Sequence, residues 1–135
     1  MRAPQVERDP SLPERVTIYE VGARDGLQNE KSVVPAAVKA QLIRRLVAAG
    51  LPMVETTSFV NPAWVPQLAD AAEVLALLGP DGTGRNRPVL VPNVRGLDRA
   101  IQADCQAIAI FGSATETFAQ RNLGRSIAES VAMFA

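Results

Sequence analysis

Hydrophobic and polar positions along this chain switch between two periods. Val16-Thr17-Ile18-Tyr19-Glu20-Val21 is β-branched and aromatic and stops at Gly22, which predicts a first strand. Behind Pro35, placed for a first helical position, Val38, Leu42, Leu46 and Ala49 recur at helical spacing until Gly50 closes the segment. Met53 to Thr57 predicts a second strand, Ser58 to Pro62 a loop, and Val65, Leu68, Ala72, Leu75 and Leu78 one face of a second helix. Gly79 to Pro88, with three glycines and two prolines, reads as a connector. Val89-Leu90-Val91 then predicts a third strand, Arg95 to Ala103 a helix, and Ala107 to Phe111 a fourth strand closed by Gly112. Ser126, with Glu129 three residues on, marks the start of a last helix.

Strand and helix in alternation give an α/β fold with parallel strands joined by right-handed crossovers. Most of these strands are near-continuous apolar runs, as expected when both faces are covered. Two architectures fit, an open doubly wound sheet and part of a (β/α)8 barrel. No Gly-x-Gly-x-x-Gly follows the first strand, which removes the main support for a dinucleotide site. A complete barrel takes about 250 residues and eight repeats. The 135 residues here supply four βα units, so the chain reads as the first half of a TIM barrel, truncated. Its last helix runs to Val131-Ala132-Met133-Phe134-Ala135 with neither a glycine stop nor a basic last turn. Residues 1–15, rich in proline and in charges of both signs, are expected to form a poorly ordered arm ahead of the half-barrel at 16–135.

Composition narrows the function classes. With 47% hydrophobic residues, 21% charged residues and a formal net charge of +0, the chain matches one soluble globular unit. That balance, with a 4% aromatic share, gives no electrostatic or stacking basis for a nucleic-acid partner. No apolar run reaches the roughly 18 residues that span a bilayer, and the first fifteen residues carry no apolar h-region. The single cysteine, Cys105, cannot form an internal disulfide, so the expected compartment is the cytoplasm. With no histidine, the chain has no imidazole base, no Ser-His-Asp triad and no histidine metal ligand. Acid–base work falls to carboxylates, Tyr19, lysines or Cys105.

The chemistry concentrates after the first strand, in Gly22-Ala23-Arg24-Asp25-Gly26-Leu27-Gln28-Asn29-Glu30. Arginine suits a carboxylate or a developing oxyanion, and aspartate is a hard ligand for a divalent cation. In a parallel barrel the strand ends bearing Arg24, Asp25, Glu55, Asn93 and Ser113 share one rim, the C-terminal face where active sites are built. The bland alternatives are specific. Arg24 and Asp25 alone form a surface ion pair, and Glu55, in an apolar strand, is costly unless paired, so it is either functional or a structural bridge to Arg24. Glu20 could pair with Arg24 across the loop base, and Gln28 either orients substrate or ties down its own loop. Asn93 reads as a turn former, Trp64 as an anchor at a helix start, and Cys105, before the fourth strand, as a packing residue on the far face. The Gly82-Thr83-Gly84-Arg85 run lies before the third strand, on the opposite rim, and reads as a plain connector.

Three stretches carry a family resemblance: Glu20 to Glu30, Val54-Glu55-Thr56-Thr57-Ser58-Phe59-Val60-Asn61-Pro62-Ala63-Trp64-Val65-Pro66-Gln67, and more loosely Ile110 to Glu116. From about Val16 onward the chain resembles the N-terminal half of the 3-hydroxy-3-methylglutaryl-CoA lyase family, within the metal-dependent lyase and acyl-CoA synthase superfamily of (β/α)8 barrels. The resemblance implies an acyl-CoA substrate, 3-hydroxy-3-methylglutaryl-CoA, cleaved to acetyl-CoA and acetoacetate as in leucine degradation, with Mg2+ or Mn2+ at the barrel mouth. On that pattern Asp25 is a metal ligand and Arg24 is catalytic, binding substrate and stabilising the enolate oxygen. Glu55 completes a catalytic triad and Gln28 contacts substrate. The family's remaining metal ligands and its catalytic cysteine belong to a C-terminal half that these residues do not include, so this chain by itself is expected to be inactive. The alternatives are an acyl-CoA-condensing synthase of the same superfamily, which shares the Arg-Asp-Gly-x-Gln run, and a non-catalytic half-barrel that self-associates through unpaired sheet edges.

Overall fold

The computed structural model describes residues 9–135. The arm expected over 1–15 therefore lies, for residues 1–8, outside the described residues. From Asp9 onward, Asp9 receives hydrogen bonds from the backbone and hydroxyl of Ser11 in an exposed turn.

The strands are short and parallel: β1 (Tyr19–Glu20), β2 (Met53–Val54), β3 (Thr57–Ser58), β4 (Val89–Leu90) and β5 (Ile108–Ala109). β1 pairs with β2, and β3, β4 and β5 pair in that order. The expected second strand is thus two pieces, β2 paired to one side and β3 to the other. Between them Glu55 N–H donates to the Glu20 carbonyl at 2.8 Å and Thr56 N–H to the Pro88 carbonyl at 3.0 Å, so the segment still bridges both neighbours. The ladder to β1 stops there because the chain turns at Gly22 and leaves Thr57 nothing on that side to pair with. Residues 16–18, predicted as strand, lie outside the ladder because β2 begins only at Met53, opposite Tyr19.

Neighbours in space are neighbours in sequence. A doubly wound sheet reverses its order at a switch point, whereas a barrel does not, so this order selects the barrel architecture.

The helices are α1 (Ala36–Ala48), α2 (Ala71–Leu78), the one-turn α3 (Pro80–Thr83), α4 (Val94–Gln102), α5 (Glu116–Leu123) and α6 (Ile127–Phe134). α1 ends where Gly50 takes φ +90°, and α6 starts with the reciprocal Ser126–Glu129 cap. Val65, expected within the second helix, is extended at φ −134°, because Pro66 begins a separate 3₁₀ turn over Pro66–Leu68 and disfavours helix in the residue before it. α3 occupies part of the predicted connector, with Pro80 at its start. α5 was not anticipated, although Thr115 caps its N-terminus through the Phe118 N–H and Gly124 closes it in the left-handed region.

Two apolar clusters join sheet to helices. Ala40 and Ile43 of α1 meet Val54, Val74 and Leu78 in one, and Ala71 and Leu75 of α2 meet Phe59, Val89, Val91 and Ala100 in the other. α2 belongs to both, so its two faces knit the sheet layer together. The buried Lys39 adds a polar clamp, its Nζ donating to the Gln67 carbonyl and to Asp70, the latter at 2.6 Å.

The alternation of side chains along a strand then sets the site. Val54, Val89 and Val91 face the helices, which turns Glu55 and Leu90 to the opposite, concave side.

Candidate active site

The loop after β1 coils into a wide, five-residue helical turn, Gly22–Gly26. The Val21 carbonyl accepts from three successive amides, Arg24 at 3.0 Å, Asp25 at 2.7 Å and Gly26 at 3.4 Å. Such π-type turns are uncommon and concentrate at functional sites. Ala23 is buried in the cluster around α1 and anchors the turn, while Arg24 and Asp25 project from it.

Glu20 does not pair with Arg24 as expected. Its carboxylate folds forward to accept the Gly22 N–H, which the turn leaves within reach. A Cβ at Gly22 would lie 2.7 Å from that oxygen, so a larger residue there would displace the Glu20 carboxylate from its place on the amide.

Arg24 meets both other residues singled out in the sequence. Its Nε donates to Glu55 Oε1, and its Nη1 donates to Asp25 Oδ1 at 2.9 Å. The second Glu55 oxygen accepts the Tyr19 hydroxyl at 2.6 Å. A chain of four side chains results, Tyr19 to Glu55 to Arg24 to Asp25. Exposure falls from Asp25 inward, with side chains 53% exposed at Asp25, 16% at Arg24 and 4% at Glu55, and rises again at Tyr19. Burial pushes the Tyr19 hydroxyl far above the usual tyrosine range, helped by its bond to Glu55 and by that carboxylate's charge and opposed by Arg24. Tyr19 is therefore a fixed donor rather than a proton carrier.

The network opens on the concave face of the sheet, in a cleft of about 440 Å³ lined also by Met53, Leu90, Ile108 and Ile110. Arg85 lines it too, so the connector read as plain contributes a cation to the same cleft. A larger cleft, about 670 Å³ beside α2 and α4, contains none of the network residues.

The other sequence candidates divide. Gln28 follows the turn, half-buried, with no side-chain partner among the described residues. Asn93 caps α4 by accepting the Gly96 N–H at 3.0 Å. Cys105 packs beside the cluster around Phe59, and burial with the Asp104 charge pushes its thiol up to about 11, away from nucleophilic use. Trp64 does not bury as a helix anchor; it is 73% exposed. The Tyr19 to Glu55 bond had no signal in the sequence beyond a tyrosine one residue before Glu20, because it joins residues 36 positions apart.

For a divalent cation the donor chemistry is partial. Asp25 is 53% exposed and offers a second carboxylate oxygen with no donor among the described residues, which suits a hard cation. Among the described residues no three acidic, cysteine or histidine side chains gather into a metal cage.

A family model described as HMGL-like matches residues 15–135. The chain belongs to the HMGL-like family. Over 134 residues the HMGL-like chain is 49% identical to the mitochondrial hydroxymethylglutaryl-CoA lyase of Rattus norvegicus, covering 99% of this chain and 41% of that one. It is 47% identical to the cytoplasmic 3-hydroxy-3-methylglutaryl-CoA lyase of Mus musculus, covering 98% of this chain and 38% of the relative. Among solved structures it superposes on an HMG-CoA lyase from Acinetobacter baumannii in complex with coenzyme A and 3-methylmalate, with a TM-score of 0.79 at 33% identity, covering 87% of this chain and 38% of that chain. The HMGL-like chain thus spans about two fifths of the length of these relatives and carries the N-terminal part of their barrel fold. No helix among its described residues is long and apolar enough to cross a membrane.

Proposed function

We propose that this chain contributes the first catalytic half of a hydroxymethylglutaryl-CoA lyase, working in the cytoplasm on 3-hydroxy-3-methylglutaryl-CoA. The observation that carries the reading is Arg24 held between Asp25 and Glu55 at the mouth of the concave cleft. In the reaction the 3-hydroxyl gives up its proton, the C2–C3 bond breaks, C3 becomes the ketone of acetoacetate, the electron pair passes through C2 to the thioester oxygen, and a proton returned to C2 turns the resulting enolate into acetyl-CoA.

Arg24 supplies positive charge where that oxygen becomes negative, an interaction stronger in the transition state than in the ground state. Glu55 holds the Nε edge of the guanidinium and is itself held by Tyr19, so both its oxygens are occupied. It positions Arg24 rather than taking the substrate's proton. Asp25 would hold Mg2+ or Mn2+ through its free oxygen, and Gln28 would contact substrate beside it. A bound divalent cation supplies Lewis acidity toward substrate oxygens. The HMGL-like chain alone provides one outward carboxylate, too little to retain such a cation.

Two assays test this. The chain alone, with Mg2+ and 3-hydroxy-3-methylglutaryl-CoA, releases no acetoacetate above background. Joined to the remaining part of the rat enzyme, residues 1–135 give an active chimera, and Arg24→Gln lowers its kcat by about 100- to 1,000-fold. An active chimera indifferent to Arg24→Gln overturns the assignment.

A further inference from the structure

A second cleft, of about 360 Å³, lies between the loop after β3 and the start of α4 and shares no lining residue with the one beside Arg24. Three arginines line it, Arg95, Arg99 and Arg125. No carboxylate lines it. Arg95 is exposed and has no side-chain partner among the described residues. Arg99 stacks on Phe59, its guanidinium carbon 4.8 Å from the ring centroid, which leaves its hydrogen-bonding edge open. Arg125 donates to the Met133 thioether at 2.8 Å, a weak acceptor for a full charge. Two carboxylates neighbour these arginines without lining the cleft: Asp98, exposed on α4 beside Arg99, and Glu129, which feels Arg125 but accepts from Ser126 in the cap of α6.

Three arginines around one concave space repel one another unless an anion joins them. The fold nevertheless brings them together. Gly96 permits it, because a Cβ there would sit 3.1 Å from Pro92 and 3.2 Å from the Phe59 carbonyl, so only a glycine lets the first turn of α4 lie against the β3 loop without a shift. On the rim stands Trp64, 73% exposed, an unburied indole face of the kind that stacks on heteroaromatic rings.

We propose that this cleft binds a nucleotide phosphate, with the phosphates held by Arg95, Arg99 and Arg125 and the base stacked on Trp64. Arginine forks match phosphate oxygens in pairs, and the positive end of α4 adds to their field. The same chemistry has two sources, a free nucleotide or the nucleotide end of a CoA thioester. The site stands apart from the carbon–carbon cleavage assigned to Arg24, so either reading can fail without the other.

Trp64 is the chain's sole tryptophan, which makes its fluorescence a direct reporter. ADP titrated into the intact chain at low ionic strength is expected to quench that emission saturably, and adenosine, lacking phosphate, is not. Arg99→Gln and Arg125→Gln each weaken ADP about tenfold, the loss of one charged phosphate contact. Arg121→Gln, on α5 outside the cleft, leaves binding unchanged. Should either cleft variant lose its circular-dichroism signal, Arg95→Gln replaces it, since that side chain has no partner to lose. CoA that displaces ADP identifies the thioester's nucleotide end as occupant, and CoA that leaves it bound identifies a free nucleotide. Absence of saturable quenching, or equal affinity in wild type and the folded arginine variants, overturns the proposal.

Discussion

Arg24 and Glu55 lie 31 positions apart in the chain and meet as an ion pair whose carboxylate is only 4% exposed. Taking Arg24 away strands the Glu55 charge out of water, whereas Arg24 without Glu55 keeps its pair with Asp25. Arg24→Met is therefore expected to lower stability by about 3 kcal/mol, while the double change Arg24→Met with Glu55→Leu recovers most of the loss because no buried charge remains. Urea unfolding midpoints of the three proteins check this. Equal destabilisation by the single and double variants would show that the pair is not electrostatically buried.

Tyr19 is the chain's single tyrosine, so its titration can be read without deconvolution. Its folded pKa lies above the ordinary value of 10.0, so the folded protein holds the proton where the unfolded chain releases it. The stabilisation from this group is complete below pH 10 and is lost as pH rises toward the folded value. Phenolate absorbance at 295 nm should stay absent through pH 10 to 11 while far-UV circular dichroism is native, and appear with unfolding. Tyr19→Phe, which leaves one Glu55 oxygen without its donor, should cost about 1.5 kcal/mol, at the low end for a hydrogen bond to a charged group because the ring is partly exposed.

Cys105 gives a chemical readout of burial. With its thiol moved from 9.0 to about 11, the thiolate fraction near neutral pH falls about 100-fold. Iodoacetamide at pH 7.5 should label the native chain about 100 times more slowly than the same chain in urea. Native labelling at the unfolded rate would place the thiol in solvent.

β1 and β5 each have a partner on one side only among the described residues, and Ile18, Ile108 and Ile110 are exposed. Open edges with apolar neighbours recruit further strands. The isolated chain is expected to elute from size exclusion larger than its 14.4 kDa mass and to shift toward that mass on dilution. A monomer at every concentration contradicts self-association.

The local chemistry of the sequence announced much of the fold. Short apolar, mostly β-branched runs marked the four strand regions, the first and fourth closed by glycine, and Ser126 with Glu129 marked the start of α6. α5 was missed because its apolar face is thin, with only Ala119 buried, so it left little periodic signal beyond Thr115 and Gly124. Val65 was drawn into a helix by its spacing, and a proline constraint one residue later overrode it.

What the sequence alone determined is where its chemically distinctive residues stand, Arg24 beside Asp25 in a glycine-flanked loop and Glu55 in an apolar strand, because residue type and strand-end position are local properties. Tertiary structure decided the partnerships. It turned Glu20 back onto Gly22, gave Glu55 to Tyr19 and Arg24 together, and brought Arg125, from the turn before α6, to the same cleft as Arg95 and Arg99 of α4. Such pairings depend on strand register and on which face each side chain takes, and both are fixed only when α2 packs across the sheet and commits Val54, Val89 and Val91 to the helix side.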